Sequence, residues 1–311
     1  MSTTIMLIQQ VLIMFLLAGV GYICFRTGKI TMEGSKNIGN ILIYLSLPCV
    51  IINGFLVERT PERLRGLLLS ALIAGILLAV SIVISRVFFK RDAVACFAST
   101  FSNPGFFGIP LITASLSDGA VFYVAAFVAF LNLGQWTYGV SLLTAEKNGS
   151  KASTGLMPLL KKLIKAPFMV GILVGLFFFL TALPMPTLAG KCIQYISNLN
   201  TPLAMFTVGI YLAQTNLVKM IKKPRLYLLS VVRLLLIPAL SVLVLCLVPE
   251  ELAELKMALL IAAACPVGSN VAVYAQLHNS DYAYAVETVI ISTLLSVITI
   301  PLIVQLAGIL W

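Results

Sequence analysis

Ten apolar stretches follow one another along this chain, at about residues 5–25, 37–56, 64–89, 93–115, 119–145, 166–183, 190–213, 226–248, 255–277 and 283–310. Each is close to the roughly 20 residues a helix needs to cross a hydrocarbon layer. Between them the loops are short, so the chain reads as one all-α membrane protein with ten transmembrane helices. Composition agrees: 60% of the 311 residues are hydrophobic and only 10% charged, against roughly a quarter in a soluble domain. So few charges cannot cover a water-facing surface, and most of the exterior must meet lipid. Met1–Phe25 carries neither Lys nor Arg. The basic start of a cleavable signal peptide is missing, and the first helix is expected to be retained.

The net charge of +10 would fit a nucleic-acid partner, but the basic residues sit in the loops between apolar spans and speak instead of orientation. On one side lie Arg26, Lys29, Lys36, Arg86, Lys90, Arg91, Lys147, Lys151, Lys161, Lys162, Lys165, Lys219, Lys222, Lys223 and Arg225. The other side has Arg59, Arg63, Arg65, Lys191 and Lys256. The positive-inside bias puts the richer side in the cytoplasm and both termini outside, in a cell membrane. The one long connection, 146–165, carries those five lysines among Gly and Ser and is expected to be a flexible cytoplasmic connector between repeats at 1–145 and 166–311.

The two parts look like copies. The second span contains Leu-Ser-Leu-Pro48 and the seventh contains Asn-Leu-Asn-Thr-Pro202. The fourth carries Asn103-Pro104-Gly105-Phe-Phe-Gly108-Ile-Pro110 before Ser117-Asp118; the ninth carries Cys265-Pro266-Val-Gly268-Ser269-Asn270 before Ser280-Asp281. The offset stays near 155 and then at 162–163. Five helices per copy is an odd number, so the second copy enters the membrane inverted. Inverted repeats with paired interrupted helices point to a transport site near the midplane.

Proline removes an amide donor and clashes with the preceding turn, so Pro104–Pro110 is not expected to remain a continuous helix. Backbone groups freed inside a membrane must be buried in protein or line a wet cavity. Half-helix N-termini there offer amides and partial positive charge, suited to a carboxylate. Prolines that only kink packed helices are the plainer account, and two such segments at corresponding repeat positions favour the site. Asn103 and Asn270 add donors and acceptors, and are expected to approach each other.

Asn103-x-x-x-x-Gly108-Ile-Pro110-Leu111 and Pro266-x-Gly268 resemble the crossover motifs of the auxin efflux carrier family, which includes the plant PIN proteins and many bacterial permeases. Leu47-Pro48 and the stretch from Ser292-Thr293 to Thr299-x-Pro301-Leu302 are similar too. The resemblance covers the whole chain. It implies a scaffold of helices 1, 2, 6 and 7, and a mobile core of helices 3–5 and 8–10. It also implies elevator-like alternating access and a homodimer through the scaffold. Family substrates are organic anions, auxin in plants and dicarboxylates such as malate or malonate in bacteria. The long cytoplasmic loop of many plant members is absent, which favours a bacterial-type permease. Substrate contact is thus expected from Asn103, Pro104, Gly105, Gly108, Pro110, Pro266, Gly268, Ser269, Asn270 and Asn132. Beyond the membrane lipid and a small organic carboxylate, no nucleic acid, cofactor or metal is called for.

Other polar positions carry less. Gln135 beside Asn132 either lines the cavity or bonds a neighbouring helix. Asn198 and Asn200 either form the scaffold side of the site or satisfy a kink. Asp118 and Asp281 fit helix N-caps. Gly171 and Gly175 permit close helix packing. The six cysteines read as small buried hydrophobes without a pairing pattern. An intramembrane hydrolase built on Ser269 and His278 lacks anything to orient the pair, and a channel would more usually show repeated pore rings. The two charges inside late spans, Arg233 and Glu287, stand at similar depth and are expected either to pair, as coupling candidates, or to lie apart, with Arg233 snorkelling and Glu287 wet.

Overall fold

A computed structural model describes residues 3–117, 119–148 and 166–311. Among the described residues every regular element is helical. In chain order the longer ones, apart from short turns at Leu217–Ile221 and Glu250–Leu252, are α1 (Thr3–Arg26), α2 (Met32–Phe55), α3 (Pro61–Phe89), the pair α4a (Ala93–Thr100) and α4b (Pro104–Ser115), and α5 (Ala120–Thr144). Then come α6 (Pro167–Thr181), the pair α7a (Thr187–Ser197) and α7b (Asn200–Gln214), and α8 (Pro224–Leu245). Last are the pair α9a (Ala253–Ala264) and α9b (Asn270–Leu277), and α10 (Tyr282–Leu310). Six of them, α1, α2, α3, α5, α8 and α10, are long and apolar enough to cross a membrane by length and composition. The apolar stretches of the sequence thus map onto helices, and the fourth, seventh and ninth are each split in two.

Local chemistry sets the boundaries. Thr60 accepts from the Arg63 amide at 3.2 Å, with Pro61 in the first turn, where its missing N–H costs nothing. Asp92 and Asp281 cap α4a and α10 through the Ala95 and Tyr284 amides, each at 2.9 Å. Asp281 is therefore a cap, as its position foretold, while Asp118 lies outside the described residues, as does the connector beyond residue 148.

Large apolar side chains face outward along α1 (Leu12, Leu16, Val20, Ile23) and α3 (Leu68, Leu72, Ile76, Val83). In water such stripes are untenable; against lipid they are the expected outer surface. Cys192 and Cys246 also lie on that exposed surface, contrary to the expectation that all six cysteines are buried, while Cys96 and Cys265 are buried. Internally, α1 runs against α7b so closely that a Cβ on Gly209 would collide with the Ala18 carbonyl. Likewise α6 lies on α2, where a Cβ on Gly171 would come within 2.9 Å of the Pro48 backbone. Close approach through small residues is how helices gain contact when lipid gives them no hydrophobic drive. The other helices pack as α3 on α5 and α4a, and as α8 on α10 and α9a.

Candidate substrate site at the crossing of two broken helices

Helix α4a stops at Thr100 because Pro104 lies just ahead: Phe101 (ψ 113°) and Asn103 (ψ 60°) leave the helical region. Helix α9a stops at Ala264 for the same reason, with Cys265 extended (ψ 151°) before Pro266. The two breaks meet. Ser102 and Val267 form an antiparallel bridge, in which the Asn103 amide donates to the Pro266 carbonyl (3.0 Å) and the Gly268 amide to the Phe101 carbonyl (2.9 Å). Ser292 Oγ of α10 accepts from the Val267 amide at 3.1 Å. Each break thereby satisfies backbone groups of the other, where water is excluded and an unmet amide is expensive. Only glycine fits at 268, since a Cβ there would stand 2.9 Å from the Ser102 carbonyl.

Polar side chains gather on the crossing. A small cavity of about 30 Å³ is lined by Asn103, Asn132, Gln135 and Asn270 together with the 102–105 backbone and Gly268. Asn270 Nδ2 donates to Gln135 Oε1 at 3.0 Å, and Asn103 Nδ2 to Ser269 Oγ at 3.2 Å. Asn132 Nδ2 is held by the Val128 carbonyl at 2.8 Å. From α7b, Asn200 Nδ2 reaches the Gly105 carbonyl at 2.9 Å, and its Oδ1 is buried without a partner, as is Ser102 Oγ. This chamber has room for one or two waters at most, so a larger guest must enter through the flanking spaces.

Those spaces differ. Beyond α4b lies a cavity of about 290 Å³ between Asn53 of α2, Pro110 and Thr113 of α4b, and Gln194, Asn198 and Thr201 of the α7 pair. Beyond α9b lies one of about 50 Å³, bounded by Leu42, Phe106, Ala204, Thr207, Tyr211 and Ser269 among others.

Arg233 stands behind the crossing. It is 1% exposed, and its Nη1 donates to the Ser99 and Thr100 carbonyls, each at 3.1 Å, while Nη2 donates to the Ala263 carbonyl. These carbonyls belong to the last turns of α4a and α9a, which have no intrahelical donors left. Arg233 does not pair with Glu287, and it does not snorkel. Glu287 receives Lys223 Nζ at 2.7 Å on both oxygens. Lys223 at the start of α8 reaches the carboxylate, while two converging carbonyl clusters claim the guanidinium. Nearby, Arg225 pairs with Asp92 and lies 4.8 Å over the Tyr284 ring.

Comparison with known proteins decides the class. A family model described as Membrane transport protein matches residues 6–304. The chain belongs to that family. A protein of Rhizobium meliloti (strain 1021) named "Putative malonate transporter" is 27% identical over 301 residues, spanning 93% of this chain and 92% of its own length. The chain is thus a multi-pass membrane transporter of the auxin efflux carrier type, as the crossover motifs implied.

Within this transporter the expected site residues divide. Asn103, Pro104, Gly105, Gly268, Asn270 and Asn132 line the central chamber. Pro110 lines the larger cavity and Ser269 the smaller one. Pro266 contributes its carbonyl to the bridge, and Gly108 instead packs against Cys265, whose Sγ a Cβ there would meet at 2.9 Å. Asn103 and Asn270 share the chamber but bond to different partners. Asn53, Thr113 and Gln194 line the larger cavity without standing out in the sequence. Yet Gln194, Ser197, Asn198 and Thr201 repeat at i, i+3, i+4 and i+7, a polar helix face hidden within an otherwise apolar span.

Proposed function

We propose that this transporter is a secondary carrier for a small organic anion bearing a carboxylate, working by alternating access about the crossing of α4 and α9. The observation that carries the reading is the crossing itself. Two half-helix N-termini, with their partial positive charge and free amides, converge on a chamber of neutral amide side chains, and a buried guanidinium covers the opposite, negative ends. The relative named for malonate supports a dicarboxylate.

The paired packing supports an inverted repeat of five helices: α1 lies on α7b as α6 lies on α2, and α3 contacts α5 and α4a as α8 contacts α10 and α9a. In this reading α1, α2, α6 and α7 form a scaffold, through which two copies associate, and the remaining helices move against it as an elevator. The basic loops support a reading in which both termini lie outside the cell membrane and the 290 Å³ cavity opens extracytoplasmically. Uptake of labelled malonate into proteoliposomes, with counterflow from an internal unlabelled pool, tests the carrier. Counterflow is expected; uptake that saturates poorly and shows no counterflow would favour a channel. A uniporter driven by membrane potential remains a carrier in this test, distinguished by flux without any ion gradient.

A further inference from the structure

A full positive charge buried inside a membrane domain is costly, and such groups persist where they act on another charge. Arg233 is buried in this way, and none of its bonds goes to a carboxylate. Three carbonyls of α4a and α9a receive it, and its Nε is buried without a partner. Neutral hydroxyls or amides would satisfy carbonyls, so satisfaction alone does not explain a charge there. The carboxylates of α10 and of the α4a cap are committed elsewhere: Glu287 to Lys223 and Asp92 to Arg225. In carriers built on broken helices, carbonyls at half-helix C-termini are where a coupling cation is coordinated. Here that place is taken by a side chain.

We propose that Arg233 is a tethered cation. It fills the carbonyl site between the two half-helix C-termini and supplies from within the protein the positive charge that a bound sodium ion would bring to an anionic substrate. The inference rests on the carboxylate-carrier reading and deepens it: carboxylate binding and transport proceed without sodium. Thr100, whose carbonyl holds the guanidinium, is three residues from Asn103 in the chamber, within about 11 Å along the chain. At that range, in a poorly screened interior, the charge is felt by a bound carboxylate.

The test uses the full chain, purified and in proteoliposomes, with sodium chloride replaced by choline chloride at equal ionic strength. Wild type and Arg233→Lys are expected to melt at the same temperature and bind malonate equally well in both salts. Arg233→Met, similar in length but uncharged, should melt earlier, regain stability when sodium is present, and bind malonate roughly tenfold to a hundredfold more weakly in choline. Sodium-stimulated uptake or sodium-dependent melting of the wild type would overturn the proposal. So would an Arg233→Met protein of unchanged affinity, or one whose melting ignores sodium. If that variant does not fold, Arg233→Gln takes its place, and the wild-type comparison decides independently. Should no carboxylate be carried by any form, the carrier reading fails, while the sodium-dependent melting of Arg233→Met still reports on the tethered charge.

Discussion

On one side of the crossing the protein keeps about 290 Å³ walled by amides and hydroxyls; on the other it keeps about 50 Å³ walled mostly by apolar groups. The same helix pair shapes both. The α7 pair turns Gln194, Asn198 and Thr201 to the larger space, and Ala204, Thr207 and Tyr211 to the smaller. A carboxylate entering the larger space meets hydrogen-bonding groups that replace part of its hydration. Entering the smaller one, it would lose water to Leu42 and Ala204 without replacement. In the proposed alternating-access reading, this asymmetry makes the larger space the one that admits substrate and the smaller one the space that must widen during turnover.

The strongest way to break this comparison is to fill each space. Thr113→Trp should obstruct the larger cavity, abolishing both malonate-induced thermal stabilisation and uptake. Thr207→Trp, in the smaller space, should leave stabilisation intact and stop turnover, because the large ring cannot clear the opening the second state needs. A Thr207→Trp carrier with wild-type uptake would mean the route does not pass between α7b and α9b.

Sidedness gives a second test. In a protein with Cys192 and Cys246 replaced by serine, Asn53→Cys and Thr207→Cys are offered a membrane-impermeant thiol reagent from the extracytoplasmic face. Asn53→Cys, exposed in the larger cavity, should react severalfold faster. The reverse order would turn the molecule over and contradict the orientation taken from the basic loops.

Much of this architecture is legible in the residues themselves. Proline at 104 and 266 breaks the two helices, but the first break falls ahead of Pro104, at 101–103. Pro104–Pro110, expected to be discontinuous, runs as helix because a proline in a first turn has no intrahelical amide to lose. The capping of α10 by Asp281 is equally local. Pairing across sequence distance is not legible in this way. Nothing in α8 announces that Arg233 will meet carbonyls 134, 133 and 30 residues away. Depth along two helices suggests Glu287 instead, and depth says nothing of which faces meet. The polar face of α7 is written at helical period, but hydropathy averaged over a whole span hides such a face.

Smaller effects are expected at the crossing's own side chains. Asn103→Ala loses the bond to Ser269, and Asn270→Ala the bond to Gln135, on walls shared between the chamber and the smaller space. Each should weaken malonate binding about fivefold, near the 1 kcal/mol of one neutral hydrogen bond. Both variants should still fold, since the bridge between the breaks is made by backbone atoms. Calorimetric titration that finds unchanged affinity in both would remove them from the site.

The smallest effect belongs to a pair that lines neither cavity, Lys223 and Glu287. Its 2.7 Å geometry is good, yet the lysine side chain is 47% exposed and the carboxylate 12%. Such a pair gains little over its hydrated partners, about 0–1 kcal/mol for the exposed case and somewhat more where one member is half withdrawn from water. It joins the start of α8 to the second turn of α10, two helices that move together in the proposed mechanism, so breaking it should not oppose their motion. Glu287→Gln and Lys223→Met are therefore expected to lower the melting temperature by a few degrees at most, with malonate affinity unchanged and uptake within twofold of wild type. The charge-swapped double variant, Lys223→Glu with Glu287→Lys, should recover the lost stability. If Glu287→Gln instead stops transport in a protein that melts normally, the carboxylate serves turnover directly, and the division between a working crossing and a structural rim has to be redrawn.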